Sequence, residues 1–398
     1  MKILFLCRFL PHPKVRDSGG QDTYHYIADL STRHTVSLIA FVPHREHDYV
    51  QTMRQICSEV IAVPYDASAL SGRLWRAWWR MVFPRVYGRV FSVSYRQGLQ
   101  QLVRRSQFDV MIVDGMMAQY GLLINGVKCV LDEVDIYSTV AYHTYLREKR
   151  PLQRLQDLGD WLRTHYYELD YARRYDGIVT RSQKDRAFLQ ELLPEQNIGV
   201  LQPWFEGLTD ELRSIPVERP PGNGLLFVGA MNNPKNVEAV VYFVQHIFPL
   251  VRLQVPDAVL CIVGGNPTST VRKLAQVEGV QVTGTVEDLT PYYTASAVNV
   301  VPLLAGGGII TKTLNGMAAA RPTVSTLFGI SGTGAEAEQD IIVADSPQDF
   351  AHAVVHLLQD EAHWFALANR GRDFVAANYD WHRTIQTFES FIYSVLQW

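Results

Sequence analysis

The stretch around residue 310 has the residue types that hold a phosphate. An apolar run, 298–303, leads into Ala305, Gly306, Gly307, Gly308 and Ile309, and then into Lys312 and Thr313-Leu314-Asn315-Gly316-Met317-Ala318-Ala319. Glycines between a buried strand and a helix let the backbone bend back. The first free N–H groups of that helix then face an anion, with Lys312 beside them. A second stretch, 229–236, repeats the idea: Gly229 follows an apolar run, and Pro234 near a helix start puts Lys235 at its positive end. A third, Ser18-Gly19-Gly20, opens a further helix. Two more loops, Gly264-Gly265-Asn266-Pro267 and Gly284-Thr285-Val286, offer backbone that suits the border of a flat ring. Each of these pieces also serves as a plain turn, so their meaning depends on the elements around them.

Those elements alternate between strand and helix, twice over. Apolar runs at 3–6, 36–41, 60–63, 110–113, 129–131, 177–180 and 199–201 are separated by longer helical patterns, which predicts a parallel sheet covered on both faces. The pattern restarts with runs at 225–228, 258–263, 280–283, 298–303, 322–325 and 341–343. Between the halves, residues 214–224 are dense in proline and glycine, as a linker is. The expected architecture is α/β, with two doubly wound Rossmann-like domains facing a cleft. The expected boundaries are 1–205 for the first domain, 206–224 for the linker, 225–377 for the second domain, and 378–398 for a C-terminal helix crossing back to the first. In that last segment Ile385, Phe388, Ile392 and Val395 recur at helical spacing.

Composition agrees with such a chain. At 398 residues and 47% hydrophobic content it can bury two cores, and a net charge of −3 argues against a general nucleic-acid binder. No apolar run approaches the roughly 20 residues of a membrane-spanning helix. Arg8 interrupts the apolar start, so residues 3–6 read as a buried strand and not as a leader peptide. Cys7, Cys57, Cys129 and Cys261 are scattered through apolar surroundings, as reduced core cysteines of a cytoplasmic protein are.

In order and spacing, the second half resembles the donor-binding domain of glycosyltransferase family 4, a retaining family with the GT-B fold. The matching pieces are Phe227-Val228-Gly229 with Asn233-Pro234-Lys235-Asn236, Ile262-Val263-Gly264-Gly265, Val282-Thr283-Gly284-Thr285-Val286 and Val300-Val301-Pro302-Leu303. They continue through Gly306-Gly307-Gly308-Ile309 with Lys312, Met317-Ala318, Pro322-Thr323-Val324, Thr326 with Gly329, and Ala344-Asp345-Ser346-Pro347. The first half is similar more loosely, through Ser18-Gly19-Gly20 and Leu131-Asp132-Glu133-Val134-Asp135, and Tyr379-Asp380-Trp381 resembles the family's crossing back.

The resemblance implies a metal-independent, retaining hexosyltransferase that moves a sugar from a nucleotide diphosphate sugar to an acceptor. It needs no cofactor beyond that co-substrate. Lys235 and Lys312 would stabilise the departing diphosphate, Gly19 and Gly20 would approach it from the first domain, and Gly229 and Gly306 to Ile309 would cradle it. Thr285 and Val286 would border the base. Where the family has a ribose-binding glutamate this chain has Asn315, which accepts a weaker hydrogen bond, and Gly307 stands where a second glutamate is usual. Those two departures keep open an alternative: a catalytically weak or inactive GT-B protein that binds a sugar nucleotide in a binding or scaffolding role.

The first domain is expected to carry the acceptor, which is a lipid-linked saccharide, a glycolipid or a precursor of cell-surface polysaccharide. Asp135 and His143 are placed near it by rough match to the loop after the strand ending at Leu131. From Ala67 to Phe108 there is no acidic residue, while Arg73, Arg76 and Arg80 interleave with Trp75 and Trp79. Two readings of that segment stay open: a basic aromatic helix lying on an anionic membrane or gripping an acidic acceptor, and an amphipathic helix packed on the sheet. The first would place the protein at the inner face of the membrane.

Overall fold

The computed structural model describes residues 1–13, 18–65, 83–134, 136–305 and 308–397. The chain divides into two compact units, Met1–Trp204 with His382–Trp398, and Phe205–Trp381.

The first unit is built on a seven-stranded parallel sheet in the order β3-β2-β1-β4-β5-β6-β7. Its strands are β1 (Lys2–Phe9), β2 (Thr35–Val42), β3 (Glu59–Pro64), β4 (Val110–Asp114), β5 (Lys128–Glu133), β6 (Gly177–Thr180) and β7 (Ile198–Val200). The central strands are near-continuous apolar runs because helices cover both faces of a parallel sheet. Five helices of the unit matter here: α1 (Ser18–Leu30), α2 (Val93–Arg105), α3 (Tyr137–Arg147), α4 (Pro151–Ala172) and α5 (Gln183–Leu192). Local chemistry starts them. Ser92 and Ser182 accept N–H bonds as N-caps of α2 and α5, and Pro151 occupies the first turn of α4, where no N–H is needed.

The second unit has a six-stranded parallel sheet in the order β10-β9-β8-β11-β12-β13. Its strands are β8 (Gly224–Val228), β9 (Val259–Val263), β10 (Val280–Gly284), β11 (Val298–Val301), β12 (Thr323–Ser325) and β13 (Ile342–Val343). Each apolar run read from the sequence thus forms a strand. Around this sheet lie α6 (Pro234–Tyr242), α7 (Thr311–Ala318), α8 (Pro347–Gln359) and α9 (Glu361–Asn378). Trp364 of α9 is fully buried, and its indole N–H donates to the Ala297 carbonyl at 2.7 Å, so the core gains a large ring without an orphaned donor.

The C-terminal helix α10 (Trp381–Gln397) packs within the first unit along the stripe Ile385, Phe388, Ile392 and Val395, all buried. Phe388 meets Tyr26 edge-on at 5.5 Å, and Glu389 pairs with Arg33 and His34.

Both sheets are doubly wound, so each has a point where the strand order reverses: between β1 and β4 in the first, and between β8 and β11 in the second. Loops beyond the carboxyl ends of strands at such a point are where this class of sheet binds ligands.

Candidate functional site

The loops after β8 and β11 flank the reversal point of the second sheet, and they carry Lys235 and Lys312. Asn233 caps α6 by accepting the Lys235 N–H at 3.0 Å, and Pro234 takes the first helical position, so Lys235 stands exposed at the helix's positive end. Lys312 lies in the first turn of α7. That helix can sit close on β11 because Gly316 has no side chain. A Cβ there would come within 2.2 Å of the Asn299 amide, whose own N–H donates to the Thr323 hydroxyl at 3.2 Å and the Lys312 carbonyl at 3.4 Å.

The Lys312 ammonium donates to Asn236 Oδ1 at 2.5 Å and stands 4.9 Å from the centre of the Phe227 ring. Asn236 is buried, and its amide nitrogen donates back to the Ala230 carbonyl at 3.0 Å, which fixes the orientation of its oxygen toward Lys312. Gly229 completes the cradle: a Cβ there would lie 2.7 Å from Asn236 Nδ2 and 3.2 Å from Lys312 Nζ, so only glycine leaves the lysine its space. Burial, and secondarily the charge of Lys235, push Lys312 down to about 8. No carboxylate pairs with it among the described residues.

Around this pair stand other residues singled out from the sequence. Gly308 has φ 70°, and Ile309 and Ile310 lead into α7, whose N-cap makes no side-chain hydrogen bond, while the Thr313 N–H turns back to the Ile310 carbonyl at 3.1 Å. Thr285 is exposed and Val286 half-buried, just beyond the end of β10. Asn315 is buried, and its Oδ1 accepts the Gly207 N–H at 2.8 Å, a use the sequence did not indicate, which occupies one of the oxygen's two lone pairs. Gly306, Gly307, Asp135, Arg73, Trp75, Arg76, Trp79 and Arg80 lie outside the described residues.

In the first unit Gly19 and Gly20 occupy the first turn of α1, beyond β1 at that sheet's reversal point. The helix is held there by a buried arginine that sequence reasoning missed. Arg181, 3% exposed, donates to Asp22 of α1 at 2.9 Å and lies 2.6 Å from Asp132 at the end of β5. The other oxygen of Asp22 accepts the Trp204 N–H at 2.6 Å. Burial lifts Asp22 to about 6, against the pull of Arg181. No local pattern marks Arg181, because its partners are 159 and 49 residues away. His143 is exposed on α3. The start of that helix is anchored by Glu168 of α4, whose carboxylate accepts the Ser138 N–H at 3.0 Å, while Tyr171 donates to Glu133 at 2.6 Å. Burial raises Glu168 to about 7.

Two lysines, one of them half-buried without a counter-ion among the described residues, thus stand beside a helix N-terminus, an arrangement suited to an anion. Residues 222–360 match the family model of glycosyl transferases, group 1. The matched region contains Lys235, Lys312 and the strands β8 to β13. An uncharacterized 44.6 kDa protein in the cps region of Klebsiella pneumoniae is 24% identical over 164 residues, 39% of this chain, and the match spans 42% of that protein's length. Among solved structures, sucrose-phosphate synthase from Thermosynechococcus elongatus superposes with a TM-score of 0.67 at 16% identity, covering 100% of both chains. Anabaena HepE, in complex with UDP and glucose, superposes with a TM-score of 0.66 at 13% identity, covering 99% of this chain and 100% of its own. The fold is therefore GT-B, with two Rossmann-like α/β units on parallel sheets. Among the described residues no group of three or more His, Cys, Asp or Glu is arranged to hold a metal, and no helix is long and apolar enough to cross a membrane.

Proposed function

We propose that this protein transfers a hexose from a nucleotide diphosphate sugar to a saccharide or glycolipid acceptor, with retention at the anomeric carbon and without a metal. The observation that carries the reading is Lys312, a half-buried ammonium at a helix N-terminus that has no carboxylate partner among the described residues. Removing an ammonium from water costs several kcal/mol, roughly, unless an anion compensates it, and a diphosphate supplies that anion. As the bond from the anomeric carbon to the diphosphate oxygen breaks, charge grows on the departing group. Lys312, Lys235 and the N–H groups at the head of α7 stabilise that charge where it develops. The acceptor oxygen bonds to the same carbon from the same face, and its proton passes to the departing phosphate, so no protein nucleophile is required.

In this reading Gly229, Gly306, Gly307, Gly308 and Ile309 line the diphosphate, Thr285 and Val286 border the base, and Asn315 hydrogen-bonds the ribose. Gly19 and Gly20 belong to the donor side, Asp135 and His143 to the acceptor side. The relative's place in a cps region supports polysaccharide biosynthesis as the setting. The HepE complex supports uridine diphosphate sugars as the first donors to try.

The test is nucleotide release from a panel of UDP-, GDP- and ADP-sugars, with and without saccharide and glycolipid acceptors. Acceptor-dependent release that is lost in Lys312→Ala is the expected result. Nucleotide binding without release with any acceptor favours the non-catalytic alternative, and failure to bind any nucleotide diphosphate sugar overturns the site.

A further inference from the structure

The hairpin of α3 and α4 in the first unit carries an apolar face that stands exposed among the described residues. Leu152, Leu155, Leu162 and Tyr166 of α4 are 80%, 67%, 53% and 77% exposed. At about 100° per residue they fall within an arc of about 80°, opposite the face that buries Asp157, Thr164, Glu168 and Tyr171 against the unit. A helix with one buried side ordinarily shows water a polar outer face; this one turns leucines outward. Val140 and Leu146 of α3 are also about half exposed.

The charges around the stripe say what covers it. At the hairpin tip, residues 147–154 hold Arg147, Lys149, Arg150 and Arg154, all exposed, against the single carboxylate of Glu148. At the far end of α4, Arg173 and Arg174 are exposed, Arg174 pairing with exposed Asp170 at 3.8 Å, which leaves that end with one net positive charge against three at the tip. The inner acids are already engaged: the Asp157 carboxylate takes the Arg85 guanidinium, and Glu168 holds the Ser138 N–H. Cations at both ends of one leucine stripe repel a second copy of the same surface, whether it approaches parallel or antiparallel. They complement a flat anionic surface along the whole length, with arginine and lysine stems reaching up to headgroups while the leucines enter the acyl boundary.

We propose that the outer face of the α3–α4 hairpin docks this protein onto an anionic lipid bilayer. The inference rests on exposure and charge in the first unit and stands apart from the proposed transferase reaction. An experiment on the full chain decides it. Vesicles of phosphatidylcholine, with and without phosphatidylglycerol, are sedimented with the wild-type protein at low and high salt. The expected result is co-sedimentation with the anionic vesicles only, weakened by salt, because exposed charges are screened. Leu155→Ser with Leu162→Ser reduces the bound fraction about tenfold while leaving the thermal midpoint unchanged, since neither leucine touches the core. Arg147→Gln with Lys149→Gln narrows the difference between anionic and neutral vesicles. Wild-type protein that stays in solution with anionic vesicles at low salt overturns the proposal whatever the variants do. So does a leucine variant that binds as the wild type does, or a concentration-dependent dimer, without lipid, that the leucine changes abolish.

Discussion

Each unit draws a cation out of water at the carboxyl edge of its sheet, Arg181 fully and Lys312 by half, and the two are handled in opposite ways. In the first unit Arg181 is matched by two carboxylates, Asp22 and Asp132, which tie α1 to the end of β5. In the second, Lys312 has only the neutral oxygen of Asn236, the ring of Phe227 and the charge of Lys235 nearby. A cation whose charge is cancelled within the fold is framework. Arg321, 2% exposed and held by the carbonyls of Pro216, Glu218 and Ala319, pairs with no carboxylate among the described residues and is framework too, so what sets Lys312 apart is its place beside Lys235 in the first turn of α7.

The largest expected effect comes from breaking the matched pair. Arg181→Met leaves two carboxylates in the interior without a cation and costs about 3–5 kcal/mol of stability. Chemical denaturation reads this as an earlier unfolding midpoint for the first unit, while nucleotide affinity of the folded protein stays near wild type. The reverse is expected of Lys312→Ala. It removes a charge-assisted contact to the diphosphate and lowers affinity by about a hundredfold, near 2.7 kcal/mol, with no loss of stability. Calorimetric titration with a nucleotide diphosphate sugar checks it, and an unchanged affinity would remove Lys312 from the site.

The pH dependence sharpens the contrast further. Lys312 is charged below about pH 8 and neutral above it, because burial and Lys235 disfavour the ammonium in the empty protein. The diphosphate needs the charged form, so affinity is level below pH 8 and has fallen about tenfold by pH 9, with proton uptake on binding in that window. The same depression from 10.5 means that the empty fold gains stability as pH rises from 8 toward 10.5, as the penalty of the buried charge is relieved. The smallest effect is expected of Asn315→Ala, which leaves the Gly207 N–H without its acceptor and costs ~1 kcal/mol of stability in the second unit. If Asn315 also hydrogen-bonds a ribose, nucleotide affinity drops with it; if its work is confined to Gly207, only the melting curve moves.

Much of this protein is legible along the chain. The short apolar runs of both halves became strands because a parallel sheet covered on both faces requires them to be apolar throughout. Pro234 and Asn233 announced α6 through capping chemistry that spans three residues. The glycines and lysines of the cradle were visible for the same reason, as local residue types at loop positions. Asn236 lay inside a quoted motif, yet nothing in the motif indicated that its oxygen would hold Lys312, 76 residues away. Asn315 is expected from its sequence position to accept from a ribose, and nothing in that position indicated that folding would also bring the Gly207 N–H to its oxygen. The leucine stripe of α4 was equally silent, since both of its faces carry apolar residues and only packing shows which one is covered.

By itself, then, the sequence determined two parallel α/β sheets and the loops rich in glycine and lysine that follow their strands, because periodicity, capping and turn chemistry act over a few residues. Only the tertiary structure decided which cation is neutralised, which asparagine oxygen already holds an N–H and which leucines face outward. Burial and pairing depend on residues brought together from distant parts of the chain, and electrostatic energy depends on that neighbourhood and not on residue type alone.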